Sequence, residues 1–72
     1  MELGNNLRRC RFNKHETTQQ ALAEAIGVTR QTILSIEKGK FIPSTLLALK
    51  IAKFFNTSVE EIFFIEEENI PK

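Results

Sequence analysis

The sequence predicts an all-α domain of five short helices, extended by a small antiparallel sheet from its two ends. Two observations carry this. Apolar residues recur at helical spacing in five stretches, most of them preceded by Ser, Thr or Asn, the side chains that cap helix starts. Gly27, Gly39, Pro43 and Asn56 fall between the stretches, where a chain turns or a helix stops.

The first stretch covers Asn5 to Asn13, with Asn5 or Asn6 as cap and Leu7, Cys10 and Phe12 on its apolar side. Thr18 caps the second, in which Leu22, Ala23 and Ile26 share a face, and Gly27 ends it by adopting positive φ. Thr29 caps the third, which runs to about Lys38 and stops at Gly39. Ser44 caps the fourth, which carries Ala48, Leu49, Ala52 and Phe55 as its stripe and ends at Asn56. Ser58-Val59-Glu60-Glu61 reads as a capping box for a short fifth helix through Phe63. Met1–Leu3 and Phe64–Glu67 read as strands. Two such strands are marginal alone and become plausible when paired with copies from a second subunit.

With 72 residues the chain is one domain, 1–72, with its last segment, 64–72, a strand and tail. A domain this small buries only about 60% of its unfolded surface and needs help to be stable. One cysteine excludes an internal disulfide, and Cys10 with His15 does not make a zinc site, so no metal or other cofactor is expected. Oligomerisation is what remains. No apolar run approaches the roughly 18 residues of a membrane span. The lone cysteine and the lack of a signal-like start give a cytoplasmic, nucleoid-associated location as the expectation.

The net charge of +1 hides an uneven distribution. Residues 1–57 carry nine Lys/Arg against four acids, and residues 58–72 carry one Lys against five acids. A basic body with an acidic tail suits an anionic partner.

The informative stretch is residues 19–38, QQALAEAIGVTRQTILSIEK. Two helices are joined by three or four residues containing Gly27, a bend that sets helices at about 90–120°. Ala23 lies where the second helix must approach closely. Ile33 points back at it, and Val28 and Ile36 close the space between them. At about 100° of rotation per residue, Gln31, Leu34, Ser35 and Lys38 fall on the opposite side of the third helix, with Arg30 flanking them. That face carries no acid, because Glu37 lies inward. Its chemistry matches base edges in the DNA major groove: Gln pairs bidentately with adenine, Arg with guanine, and Leu34 can touch a thymine methyl. Arg30, Gln31, Leu34 and Ser35 are thus the candidate base readers. Gln19, Thr29, Thr32, Lys38 and Lys40 are the candidate phosphate binders, the first three at helix starts where free N–H groups favour anions.

These residues resemble the Cro/C1-type (Xre) helix-turn-helix family. The likeness runs from about residue 5 to 63 and rests on QQALAEAIGVTRQTILSIEKGKFIPS and LALKIAKFFNTSVEEIF. It implies a five-helix, lambda-repressor-like DNA-binding fold, and a short stand-alone dimeric repressor with a small sheet built from both chain ends. It also implies an ion pair between Arg11 and Glu37. Two departures stand out. FNKHETT is one residue longer than usual. Thr45-Leu46 reverses the family's apolar–polar order, which makes Leu46 a subunit-contact candidate. The dimer surface further includes one of Phe54 or Phe64, with Ile65.

Plainer roles suit the other conspicuous residues. Cys10 reads as core filler, His15 as a loop residue, and Glu66-Glu67-Glu68 as a solvated tail. The expected function is therefore a transcriptional regulator, a repressor acting as a homodimer on a near-palindromic duplex site. The apolar residues near the C-terminus motivate a second reading, an antitoxin or phage-type module whose main task is binding a partner protein. Paired carboxylates in a pocket, a nucleophile with its base and a glycine-rich phosphate loop are all missing, so an enzyme is not expected, and no small-molecule ligand is evident.

Overall fold

The computed structural model describes residues 2–66. Its elements are β1 (Glu2–Asn5), α1 (Leu7–Asn13), α2 (Gln19–Ile26), α3 (Arg30–Glu37), α4 (Thr45–Phe54), α5 (Val59–Ile62) and β2 (Phe63–Glu66). The five helices wrap a single apolar core. Leu7, Leu22, Ile33, Ile36, Ile51 and Ile62 are fully buried there, at least one from every helix. Burying each such side chain contributes roughly 1.5–3 kcal/mol.

Local chemistry sets the helix limits. Thr18, Thr29 and Ser44 adopt extended backbone and accept from the N–H of Ala21, Thr32 and Leu47 respectively. At the other ends, Gly27, Gly39 and Asn56 take left-handed φ of 80°, 74° and 55°. After α3, Lys40 N–H donates to the Ser35 carbonyl and Gly39 N–H to that of Ile36, both at 2.9 Å. After α4, Thr57 and Asn56 donate to Ala52 and Lys53 in the same way. These paired bonds satisfy carbonyls that the helix leaves without partners.

Several details differ from the sequence expectation. The two strands form the expected antiparallel sheet of the chain ends, Leu3 opposite Ile65 and Gly4 opposite Phe64, but they do so inside one chain, so the sheet does not need a second subunit to form. The second strand begins one residue early, because Phe63 leaves α5 in extended backbone with its ring buried. Expected strand residues Met1 and Glu67, and the tail beyond, lie outside the described residues. Ser58 starts α5, yet its side chain makes no capping bond. Phe12 faces solvent, 67% exposed, because α1 turns Leu7 and Cys10 inward instead. Leu49 is likewise exposed. The inward stripe of α4 is Leu47, Ala48, Ile51, Ala52 and Phe55, which keeps a three- and four-residue spacing that Leu49 breaks.

Gly4 has a steric task. A Cβ at this position would lie 2.5 Å from Cε1 of Phe64 and 2.6 Å from Cγ of Glu66. The absence of a side chain lets the ring of β2 lie across β1.

Candidate nucleic-acid interface

The third helix is held at both ends and open along one side. Its start is fixed by Thr29, whose hydroxyl accepts from Thr32 N–H at 3.2 Å and lies 3.0 Å from the Thr32 hydroxyl. Ile33 and Ile36 anchor its inner side in the core. Arg30 and Gln31 are exposed, while Leu34 and Ser35 are half-buried. The outward ridge of α3 therefore begins with two long, unencumbered donors and continues with shorter, partly sheltered side chains. Lys38 and Lys40 are exposed just past its end.

The C-terminal end of α3 is tied down by polar side chains from other elements. Arg11 of α1 grips the Glu37 carboxylate with Nε on Oε2 and Nη2 on Oε1, the latter at 3.0 Å. Its remaining nitrogen, Nη1, donates to the Thr17 carbonyl at 2.9 Å. Gln19 Nε2 also donates to Glu37, at 3.1 Å. The Glu37 side chain is only 8% exposed. Its charge is thus matched by a cation and a neutral donor on the inner side of α3, and the outward ridge stays free of acid. The amide nitrogen of Gln19 is committed to this cluster. What α2 offers outward at that point is its helix start.

Asn5, expected from the sequence only as a cap, stands one residue before the Asn6 cap of α1 and reaches α3. Its Oδ1 accepts from Leu7 N–H at 3.1 Å, which fits that role, and its Nδ2 donates to the Ile36 carbonyl at 3.0 Å. One amide thereby joins the first strand, the start of α1 and the end of α3. Its neighbour Asn6 ties the start of α1 to α5 through Ile62 and Glu61 carbonyls. An Asn pair ahead of a helix signals capping in a sequence. The long-range partner is set only by the fold.

Two hollows flank α3. One is lined by Gln31, Thr32, Ser35, Lys40 and Phe41. The other lies between α1 and the starts of α2 and α3, with Arg8, Phe12, Thr18, Gln20 and Arg30 in its wall. Arg8, Gln20 and Phe41 were not singled out from sequence; that Arg8 and Gln20 share one hollow and Phe41 lines the other is visible only once the helices are packed.

Elsewhere, Leu46 and Ile65 are 65% and 64% exposed, and Phe64 is 38% exposed. Phe54 is different. It packs against the core, stacks edge-on to Phe55 at 4.9 Å and sits under the Lys14 ammonium. Cys10 packs against the core too, and burial pushes its thiol pKa up, with Arg9 opposing and Glu61 adding to the shift. His15 occupies an exposed turn.

A helix-turn-helix family model matches residues 7–62, which takes in all five helices. The chain belongs to the Cro/C1-type helix-turn-helix family of transcriptional regulators. Family members are DNA-binding proteins of a non-enzymatic kind. An uncharacterized HTH-type transcriptional regulator of Bacillus subtilis, YgzD, is 56% identical over 52 residues, covering 72% of this chain and 79% of that protein. A regulator of the same description from Methanocaldococcus jannaschii is 56% identical over 54 residues, covering 75% and 82%. The transcriptional repressor RstR of the cryptic phage CTXphi, from Vibrio cholerae, is 33% identical over 57 residues, covering 79% of this chain and 51% of that protein. In this helix-turn-helix chain, no helix among the described residues is long and apolar enough to cross a membrane.

Proposed function

We propose that this protein is a repressor that binds a near-palindromic duplex site as a homodimer, with α3 of each subunit in the major groove. Arg30, Gln31, Leu34 and Ser35 read base edges. Backbone N–H groups at the start of α2 by Gln19, with Thr29, Thr32, Lys38 and Lys40, hold the flanking phosphates. The observation that carries this reading is the split character of α3. Ile33 and Ile36 are buried, Glu37 is neutralised on the inner side, and Arg30 and Gln31 stand free on the outer side. An outer ridge of this kind, uncharged or basic, is what a polyanion with readable edges accepts. Repression is supported by the named activity of the phage relative. Dimerisation is supported by the exposed apolar side chains Leu46, Phe64 and Ile65.

The test is selection from a random duplex library followed by footprinting. The expected site has dyad symmetry, with half-sites about 34 Å apart or a multiple of that. Affinity should fall steeply with salt. A selected site without a dyad would overturn the dimeric reading. Failure to enrich any duplex would overturn the whole.

A further inference from the structure

The hollow beside the start of α3 adjoins Gln19 and Arg30, whose roles are proposed above, but its α1 side has no role assigned so far. The hollow is open to solvent, with a volume of about 850 Å³, and three helices supply most of its wall. α1 supplies Arg8 and Phe12, the start of α2 supplies Thr18 and Gln20, and the start of α3 supplies Arg30. Arg8 and Arg11 are three residues apart and share a side of α1. Arg11 spends its guanidinium on Glu37 and Thr17. Arg8 is exposed, and among the described residues it has no ion-pair partner. Among the described residues, the wall holds one acid without an ion-pair partner, Glu16, against three arginines without one, Arg8, Arg9 and Arg30.

Position gives this charge a direction. Arg30 belongs both to the hollow and to the outward ridge of α3, so the two surfaces are continuous. On the other flank of α3 lies the hollow that holds Lys40. A helix inserted in the major groove has a sugar-phosphate strand on either side of it. With α3 in the groove, one hollow would face each of those strands. Arg and Thr side chains at a helix start are groups that hold phosphate oxygens, whereas the Gln20 amide donates to Glu24 at 2.8 Å. Phe12, 67% exposed at the rim, would be out of place in water yet suits the apolar face of a deoxyribose.

We propose that this hollow seats the backbone of one DNA strand, with Arg8 as a phosphate contact and Phe12 packed on the adjoining sugar. The inference rests on the DNA-binding reading above and extends its footprint onto α1.

The test compares the full-length parent with Arg8→Ala, Arg8→Lys, Phe12→Ala and Lys50→Ala on a library-selected duplex and on a scrambled duplex. Lys50 is an exposed cation of α4 beside the end of α2, away from the hollow. Removing one phosphate contact lowers the salt slope by about 0.9, which corresponds to roughly an eight-fold loss at 0.1 M salt. Arg8→Ala should show this on both duplexes alike, Arg8→Lys should regain most of it, and Lys50→Ala should match the parent. Phe12→Ala should weaken binding with the slope unchanged, because an apolar contact releases no counterion. An unaltered slope in Arg8→Ala, with the parent still binding, overturns this proposal and leaves the repressor reading intact. A parent that binds neither duplex overturns both.

Discussion

Glu37 is the residue whose neighbours most constrain its chemistry. Two guanidinium bonds and one amide bond converge on its carboxylate, which is nearly shut off from water. Breaking such a pair from one side leaves a half-buried charge without its match. Glu37→Ala should therefore destabilise the fold by about 2–4 kcal/mol, at or below the 3–5 of a fully buried pair because Arg11 keeps some exposure. Urea unfolding measures this, and the double change Arg11→Met with Glu37→Leu should recover most of the loss. Recovery failing would mean that the pair contributes more than charge matching. A second site stores strain instead. His15 and Glu16 both sit at φ 53°, consecutive left-handed residues in the stretch that is one residue longer than the family resemblance leads one to expect. Each left-handed L-residue costs about 1–2 kcal/mol, and glycine relieves that at an entropic cost of about 0.5–1. Glu16→Gly should raise the melting temperature slightly, and by removing an acid from the Arg8 hollow it should also tighten DNA binding at low salt. A fall in both would show that the Glu16 side chain has an unseen structural partner.

Among the elements, the helix starts were the most legible, and the sheet was legible in kind but not in how it closes. Thr18, Thr29 and Ser44 were assigned as caps from residue type and position, and all three make the capping bond. Each should cost about 1 kcal/mol when changed to Ala, and Thr29→Ala should additionally loosen the start of α3, seen as faster amide exchange at Thr32. Capping is a short-range property, so one sequence suffices to see it. The inward side of α2 and the Val28–Ile33–Ile36 packing were legible for a related reason: spacing fixes which residues share a side. Phe12 and Leu49 were misplaced because hydrophobicity does not itself say which way a short helix turns, and a seven-residue α1 has room to bury only one side. The antiparallel sheet from the two chain ends was expected, but not that it closes within one chain. Chain ends sixty residues apart carry no local signal of contact, and the tie through Asn6 and Ile62 that brings them together is a backbone bond. Gly4 makes the pairing testable. Gly4→Ala should weaken it by driving a methyl into the Phe64 ring, and Phe64→Ala in the same chain should relieve part of that cost. Additive losses would mean that the ring has room to move away.

At the scale of the whole molecule, the fold class was legible and the partner surface was not. A core shared by five short helices leaves large apolar side chains outside, among them Leu46 on α4 and Ile65 on β2. Phe54, a candidate for the same role, is instead occupied by Phe55, Lys14 and the core. A monomer of this size is marginal, and a single α3 reads only a few base pairs. Both problems have one solution if two copies join. Linking two readers turns the second binding event into an intramolecular one, so affinity for a full dyad exceeds that for a half-site by far more than two-fold. Leu46→Glu and Ile65→Glu should each leave helical content intact, since both side chains already face water. At least one should shift the parent from dimer to monomer in sedimentation equilibrium. The same variant should bind a full dyad only as well as a half-site, while Arg30→Ala should weaken both and leave the dimer untouched. If neither substitution changes the parent's oligomeric state, the subunits meet elsewhere. A parent that sediments as a monomer while still protecting a dyad would mean that the DNA, and not this apolar surface, brings the copies together.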